Sequence, residues 1–209
     1  MKKIIIIGSG GFAIEVYSLL KKYYGDKIKK NILGFISKEK KGIVIENKKV
    51  LGNDNFLIKE FSKVNLILAI GNVNLRKKTY VKLKKYNFFW PNIYPKNSKF
   101  ETSNIKIGFG NIFCSNSLIS PKVKIGDFNI INMNSIISHH CTINNFCNIN
   151  PASVISGNVK IENNCEIGSN SVIHQNLKIK ANSKIGIGAV LIRDTEKGKT
   201  YFGNPARSI

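Results

Sequence analysis

Of the side chains able to do chemistry, the histidines are few and pointed. There are three, His139, His140 and His174, and the first two are adjacent. Imidazole takes up and releases a proton near neutral pH, so it suits the base of a group transfer to an amine or a hydroxyl. A second pattern stands at the start of the chain. Four isoleucines, residues 4–7, run into Gly8-Ser9-Gly10-Gly11 and then into residues 12–24, where Ile14, Tyr17, Leu20 and Lys21 have helical spacing. Strand, glycine-rich turn and helix make a cradle for phosphate. The glycines let the backbone approach a ligand, and the helix N-terminus favours an anion. The same pattern also serves as a plain tight turn in an α/β domain, and it is not a full GxGxxG. The histidine pair likewise reads either as a catalytic base or as two solvated corner residues, with His174 structural. The cysteines, Cys114, Cys141, Cys147 and Cys165, form no CxxC pair. Reduced packing residues of a cytoplasmic protein fit them best.

What must place the histidines is a repeat. Counting by six from Ile107 to Leu191 gives fifteen positions, all apolar and thirteen of them Ile. Two residues before these lie Ser117, Ser135, Ser153, Ser171 and Ala189, eighteen apart, and Val123, Cys141, Val159 and Leu177, also eighteen apart. A six-residue period inside an eighteen-residue one predicts a triangular prism. Each hexapeptide is a short strand and a corner, three make a coil, and about five coils stack into a left-handed parallel β-helix. Ile137 then points inward, residues 138–140 fall on a corner or the outer side, and Cys141, Cys147 and Cys165 pack inside. Zinc hydratases on such prisms use three His, two of them five apart on one strand. Adjacent residues point to opposite sides of a strand, so no metal is expected at His139 and His140.

The first half alternates differently. Strands are expected at 4–7, 32–36, 64–70 and 88–93, and helices at 12–24 and 75–86. The second helix is basic on one face, through Arg76, Lys77, Lys78, Lys82, Lys84 and Lys85. This alternation predicts an α/β, Rossmann-like domain with a small parallel sheet over residues 1–100, followed by the β-helix domain over 101–209. Pro91 and Pro95 mark the passage. Gly71 ends a strand on the same side of the sheet as Gly10, where such sheets bind ligands.

The chain of 209 residues carries 33 Lys and Arg against 12 Asp and Glu, a net of +21. Residues 1–100 hold +16 of this and residues 101–209 hold +5. Such a balance points first to an anionic partner, nucleic acid above all. No nucleic-acid motif accompanies it, and most of the lysine reads as surface decoration. Small phosphorylated ligands suit the remainder better. With 43% hydrophobic residues the chain should fold, and no apolar run reaches the ~18 residues of a membrane span.

Five segments carry a family resemblance over essentially the whole chain. They are Ile7-Gly8-Ser9-Gly10-Gly11, Ala69-Ile70-Gly71-Asn72 with Arg76-Lys77-Lys78, Ser138-His139-His140-Cys141, Gly157-Asn158-Val159-Lys160-Ile161, and Gly203-Asn204-Pro205-Ala206-Arg207. Together they resemble the bacterial hexapeptide-repeat sugar acyltransferases of the sialic acid O-acetyltransferase type. Within these, they are most similar to the N-acetyltransferases of UDP-linked 4-amino sugars of the bacillosamine pathway. The resemblance implies an acetyl-CoA-dependent N-acetyltransferase acting on a nucleotide-linked amino sugar, a UDP-4-amino-4,6-dideoxy sugar, for surface glycan or glycoprotein synthesis. O-acetylation of sialic acid or a related sugar is the alternative. A cytoplasmic homotrimer is implied, with acetyl-CoA as co-substrate, no metal, no nucleic acid and no membrane insertion. His139 would be the general base. His140, where the family often has an acid, would accept a hydrogen bond from it. Acetyl-CoA would meet Asn148, where the family often has His, and Gly157, Ser169 and Ile187. The sugar nucleotide would meet Gly10, Gly11, Phe12, Ser37, Lys38 and Gly71. Phe12 replaces a usual His, and Ser37-Lys38 an acidic pair.

Overall fold

Four β-branched residues in a row are buried on both faces only inside a covered sheet. Strand β1 (Ile4–Ile7) is such a strand, with all four side chains buried. In this computed structural model, which describes residues 3–38, 41–95 and 104–209, the chain divides into two units, Met1–Lys96 and Asn97–Ile209. The boundary expected between 100 and 101 lies outside the described residues.

In the first unit β1 leads into α1 (Gly11–Tyr24), β2 (Ile32–Ile36), β3 (Val44–Ile45), β4 (Lys48–Gly52), α2 (Asp54–Glu60), β5 (Asn65–Leu68) and α3 (Val73–Leu83). The sheet order is β3-β4-β2-β1-β5, parallel except for the antiparallel β3–β4 hairpin at one edge. Sequence spacing misses β3, β4 and α2, which are short. The hairpin turns through Glu46 and Asn47, both at positive φ, without the Asn-Gly pair that signals such a turn. No strand forms over 88–93. Only isolated bridge residues remain there, Phe89 opposite Asn65 and, further on, Ile93; Pro91 between them has no N–H to extend a ladder. Gly8, at φ 123, closes β1 against β5: a Cβ there would lie 2.5 Å from the Ala69 carbonyl oxygen.

The second unit is the left-handed β-helix expected from the repeat. Fifteen two-residue strands, from Lys106–Ile107 to Val190–Leu191, each end on one rung of the apolar ladder, and partners in neighbouring coils lie eighteen residues apart. Ile131, Ile137, Ile149, Ile155, Ile167, Ile173 and Ile179 are fully buried. Cys114, Cys141, Cys147 and Cys165 are buried free thiols, and burial pushes the Cys141 thiol up. The corners obey a second rule. Every sixth residue from Asn104 to Gly188 has φ between 55 and 69. Eight of these fifteen are Asn and two are Gly, the types that enter the left-handed region most readily. Much of the asparagine is therefore placed by the fold. Corner amides also link coils, Asn158 Nδ2 donating to Asn176 Oδ1 at 2.8 Å and Asn164 Nδ2 to Asn182 Oδ1 at 3.1 Å.

The outward residue of each strand colours three distinct faces. One carries Leu118, Ile136, Val154, Val172 and Val190. Leu118, Ile136 and Val172 of this apolar face are 51%, 37% and 38% exposed. The next carries Lys106, Lys124, Thr142, Lys160 and Lys178. The third carries Ile112, Ile130, Asn148, Glu166 and Lys184. Thr200–Phe202 adds to the third sheet and pairs with Arg207–Ser208, burying Tyr201 and Ala206 at the end of the core. Ile155→Ala opens a cavity in the ladder and should lower stability by about 2–5 kcal/mol, read as a lower urea midpoint at unchanged slope.

Candidate active site

The carboxyl ends of β1, β2 and β5 surround a cleft of about 520 Å³. It brings together all six residues expected to meet the sugar nucleotide: Gly10, Gly11, Phe12, Ser37, Lys38 and Gly71. Parallel strands place their following loops on one side of a sheet, so three remote sequence segments converge there. Helix α1 starts at the cleft from Gly10, with no side-chain cap and no acidic residue in its first turn, leaving its positive dipole end for an anion. Lys38 adds a cation. The hydroxyls of Ser9 and Ser37 lie 2.8 Å apart and tie the first two loops together. Asp54 also lines the cleft, ion-paired to Lys82 at 2.8 Å.

Arg76 departs from the expected basic face. It is 1% exposed, and its Nη1 donates to the carbonyls of Ile70 at 2.8 Å and Gly71 at 3.1 Å. A buried guanidinium needs such acceptors, and the loop after β5 supplies them. Arg76 thus holds the third wall of the cleft. A sequence signal existed: only three residues of this lysine-rich chain are Arg, namely Arg76, Arg193 and Arg207.

His139 and His140 sit on the corner between the apolar and basic faces of the prism, both exposed. His140 occupies a left-handed corner position, φ 60. The two Nδ1 atoms are 3.1 Å apart and the rings meet edge to face. One proton between those nitrogens makes one ring the donor and the other the acceptor. Gly157, buried one coil further along the same edge, lies under the His139 ring. A Cβ there would be 2.6 Å from Cε1, so only glycine leaves this ring its place. His174 lies further along this edge, with Nδ1 3.2 Å from the Gln175 carbonyl oxygen.

The other expected cofactor residues are elsewhere in the protomer. Ser169 and Ile187 stand on the opposite edge of the apolar face, where it meets the third face. Asn148 is 7% exposed, on the third face itself. Within one protomer these do not join His139. Among the described residues no three of His, Cys, Asp and Glu cluster to hold a metal.

Residues 3–83 match the family of the PglD N-terminal domain, and residues 108–199 match the GlmU-like, C-terminal hexapeptide family. The chain joins a PglD-type N-terminal domain to a hexapeptide-repeat domain. Curated protein sequences gave no match. Solved structures share the whole architecture. WeeI from Acinetobacter baumannii AYE is 27% identical over the full length of both chains, with a TM-score of 0.88. A histidine-to-asparagine variant of perosamine N-acetyltransferase from Caulobacter crescentus, in complex with CoA and GDP-perosamine, is 24% identical, with all of this chain and 97% of that one covered and a TM-score of 0.87. The acetyltransferase domain of PglB from Neisseria gonorrhoeae FA1090, in complex with acetyl coenzyme A, is 22% identical over 100% and 99%, with a TM-score of 0.85. The PglD-type domain followed by a prism is the order expected from the sequence.

Trp90, the single tryptophan, packs edge to face on Tyr80 of α3 at 5.4 Å and so reports on the PglD-type domain. Arg76→Leu strips a donor from two loop carbonyls. It should destabilise this domain by about 1–3 kcal/mol, seen as an earlier Trp90 fluorescence transition in urea.

Proposed function

We propose that the protein is an acetyl-CoA-dependent N-acetyltransferase that acetylates the amino group of a nucleotide-linked amino sugar. The observation that carries this is the pairing of two features in one chain. A PglD-type domain has a cleft shaped for a phosphorylated ligand, and a hexapeptide prism presents an imidazole pair on an exposed edge. Neither feature alone specifies the reaction; together they supply an acceptor site and a base.

In the forward reaction the sugar amine adds to the thioester carbonyl. His139 takes the amine proton at Nε2 and returns it to the departing thiolate of CoA. For this, Nε2 must carry the lone pair and Nδ1 the hydrogen. The Nδ1 atom of His140, 3.1 Å away, accepts that hydrogen and selects the tautomer. Gly157, with no side chain, leaves the ring its room from below. The oxyanion needs donors aimed at it, and Asn148 carries an amide suited to that task.

The apolar face supports a homotrimer. Three prisms around a threefold axis, each turning this face inward, bury it, and the edge with His139 then meets the neighbour's edge with Ser169 and Ile187. The active site is thereby completed between protomers. We place the enzyme in the cytoplasm, with its acetyl-CoA. No helix among the described residues is long and apolar enough to cross a membrane.

His139→Ala should lower kcat by ~10²–10⁴ with the far-UV spectrum unchanged; near-normal thiol release would sink the assignment of the base. The acceptor is tested with UDP-, GDP- and dTDP-linked amino sugars beside sialic acid. Release of CoA with sialic acid alone would replace N- by O-acetylation. Val172→Asp should convert the trimer to a smaller species in light scattering and reduce turnover with it.

A further inference from the structure

We infer that the Nδ1 proton of His139 does more than fix a tautomer: it crosses to His140 as the amine proton arrives, so that the second ring stores the proton of the reaction. This relay rests on the acetyltransferase reading above. The two Nδ1 atoms are 3.1 Å apart, within reach of one N–H···N hydrogen bond, and the rings meet edge to face. Among the described residues no carboxylate is ion-paired to either ring. That difference decides what the partner can do. A carboxylate beside a catalytic imidazole stabilises the imidazolium and stays unprotonated. A second imidazole can take the proton itself. Donor and acceptor are then the same chemical group, and transfer between them is nearly balanced.

The proton count closes within the pair. The amine nitrogen bonds to the thioester carbon, and its proton goes to Nε2 of His139. The Nδ1–H bond of His139 breaks, and that proton joins the lone pair on Nδ1 of His140. When the carbon–sulfur bond breaks, both moves reverse. His140 returns its proton to Nδ1 of His139, and Nε2 gives its proton to the sulfur of CoA. One proton has then passed from amine to thiol, and each ring ends as it began. In between, the positive charge rests one ring away from the reacting atoms.

The corner holds the two rings ready for this. The backbone N–H of His140 donates to the Pro121 carbonyl of one neighbouring coil at 3.2 Å, and Asn158 N of the other donates to the His139 carbonyl at 2.9 Å. Gly157 leaves the His139 ring its room. His140 is exposed, so a charge on its ring stays hydrated. The left-handed turn at His140, φ 60, does not itself demand histidine. Eight of the fifteen such corners are Asn, a type that enters this region readily.

His140→Asn therefore makes the test. It keeps the corner, and its side-chain carbonyl can accept the Nδ1 hydrogen of His139 without holding a proton. Single-turnover rates of the full-length enzyme are measured in mixtures of H2O and D2O. The substrates are acetyl-CoA and whichever of the UDP-, GDP- and dTDP-linked 4-amino-4,6-dideoxy sugars turns over. Wild type should give a curved dependence of rate on deuterium fraction, because more than one proton moves in the step. His140→Asn should give a straight line, with the rate lowered about ten- to a hundredfold and KM for both substrates unchanged. His140→Asp stabilises the imidazolium but does not take the proton, so it should recover rate and still give a straight line. A straight line in wild type, or a curved line or a wild-type rate in His140→Asn, overturns the relay. The two levels separate cleanly. A wild type that releases no thiol with any of these sugars refutes the acetyltransferase reading itself, whereas an active wild type with a straight line refutes only the passage to His140.

Discussion

The stacked isoleucine ladder is the constraint on which the rest of this molecule depends. Each inward side chain meets its counterparts eighteen residues away, and the coil closes only if every sixth residue turns through the left-handed region. Anything on an outer position is therefore copied, coil after coil, into a stripe. An apolar face, a lysine face and a histidine-bearing edge all follow from one period. His140 shows how chemistry is fitted to this constraint. It takes a corner position that most side chains avoid, and so turns the backbone while meeting His139. The pair is built into the repeat without interrupting it.

Charge has a structural meaning that net balance conceals. On the third face Glu166 and Lys184 pair across neighbouring coils at 3.0 Å. On the basic face Lys106 opposes Lys124, and Lys160 opposes Lys178, in direct register. Like charges so placed cost stability, and a bound anion relieves that cost. In the first unit the positive end of α1 and Lys38 converge on one cleft. The excess positive charge is thus concentrated on one face of the prism and at one cleft of the first unit.

Much of this was legible from residue spacing. The ladder positions, the corner placement of His139 and His140 and the buried cysteines follow from the period of six, which decides whether a side chain points in or out, and β1 and β2 follow from short apolar runs. Convergence of Gly10, Ser37 and Gly71 follows from a parallel sheet, which puts the ends of its strands together. Asparagine at the corners shares the period of six, because the left-handed turn there favours it.

What only the tertiary structure decided concerns partners remote in sequence. Arg76 lies among lysines on a helix, and no local pattern says that the loop after β5 will offer it two carbonyls. The strand expected at 88–93 shrinks to isolated bridge residues, Phe89 and Ile93, because Pro91 between them lacks the N–H that a ladder needs. The separation of His139 from Ser169 and Ile187, on opposite edges of the apolar face, appears only when the coil is closed into three sides. Sequence periodicity determines inside against outside; which outer face adjoins which, and what each then meets, depends on closure in three dimensions.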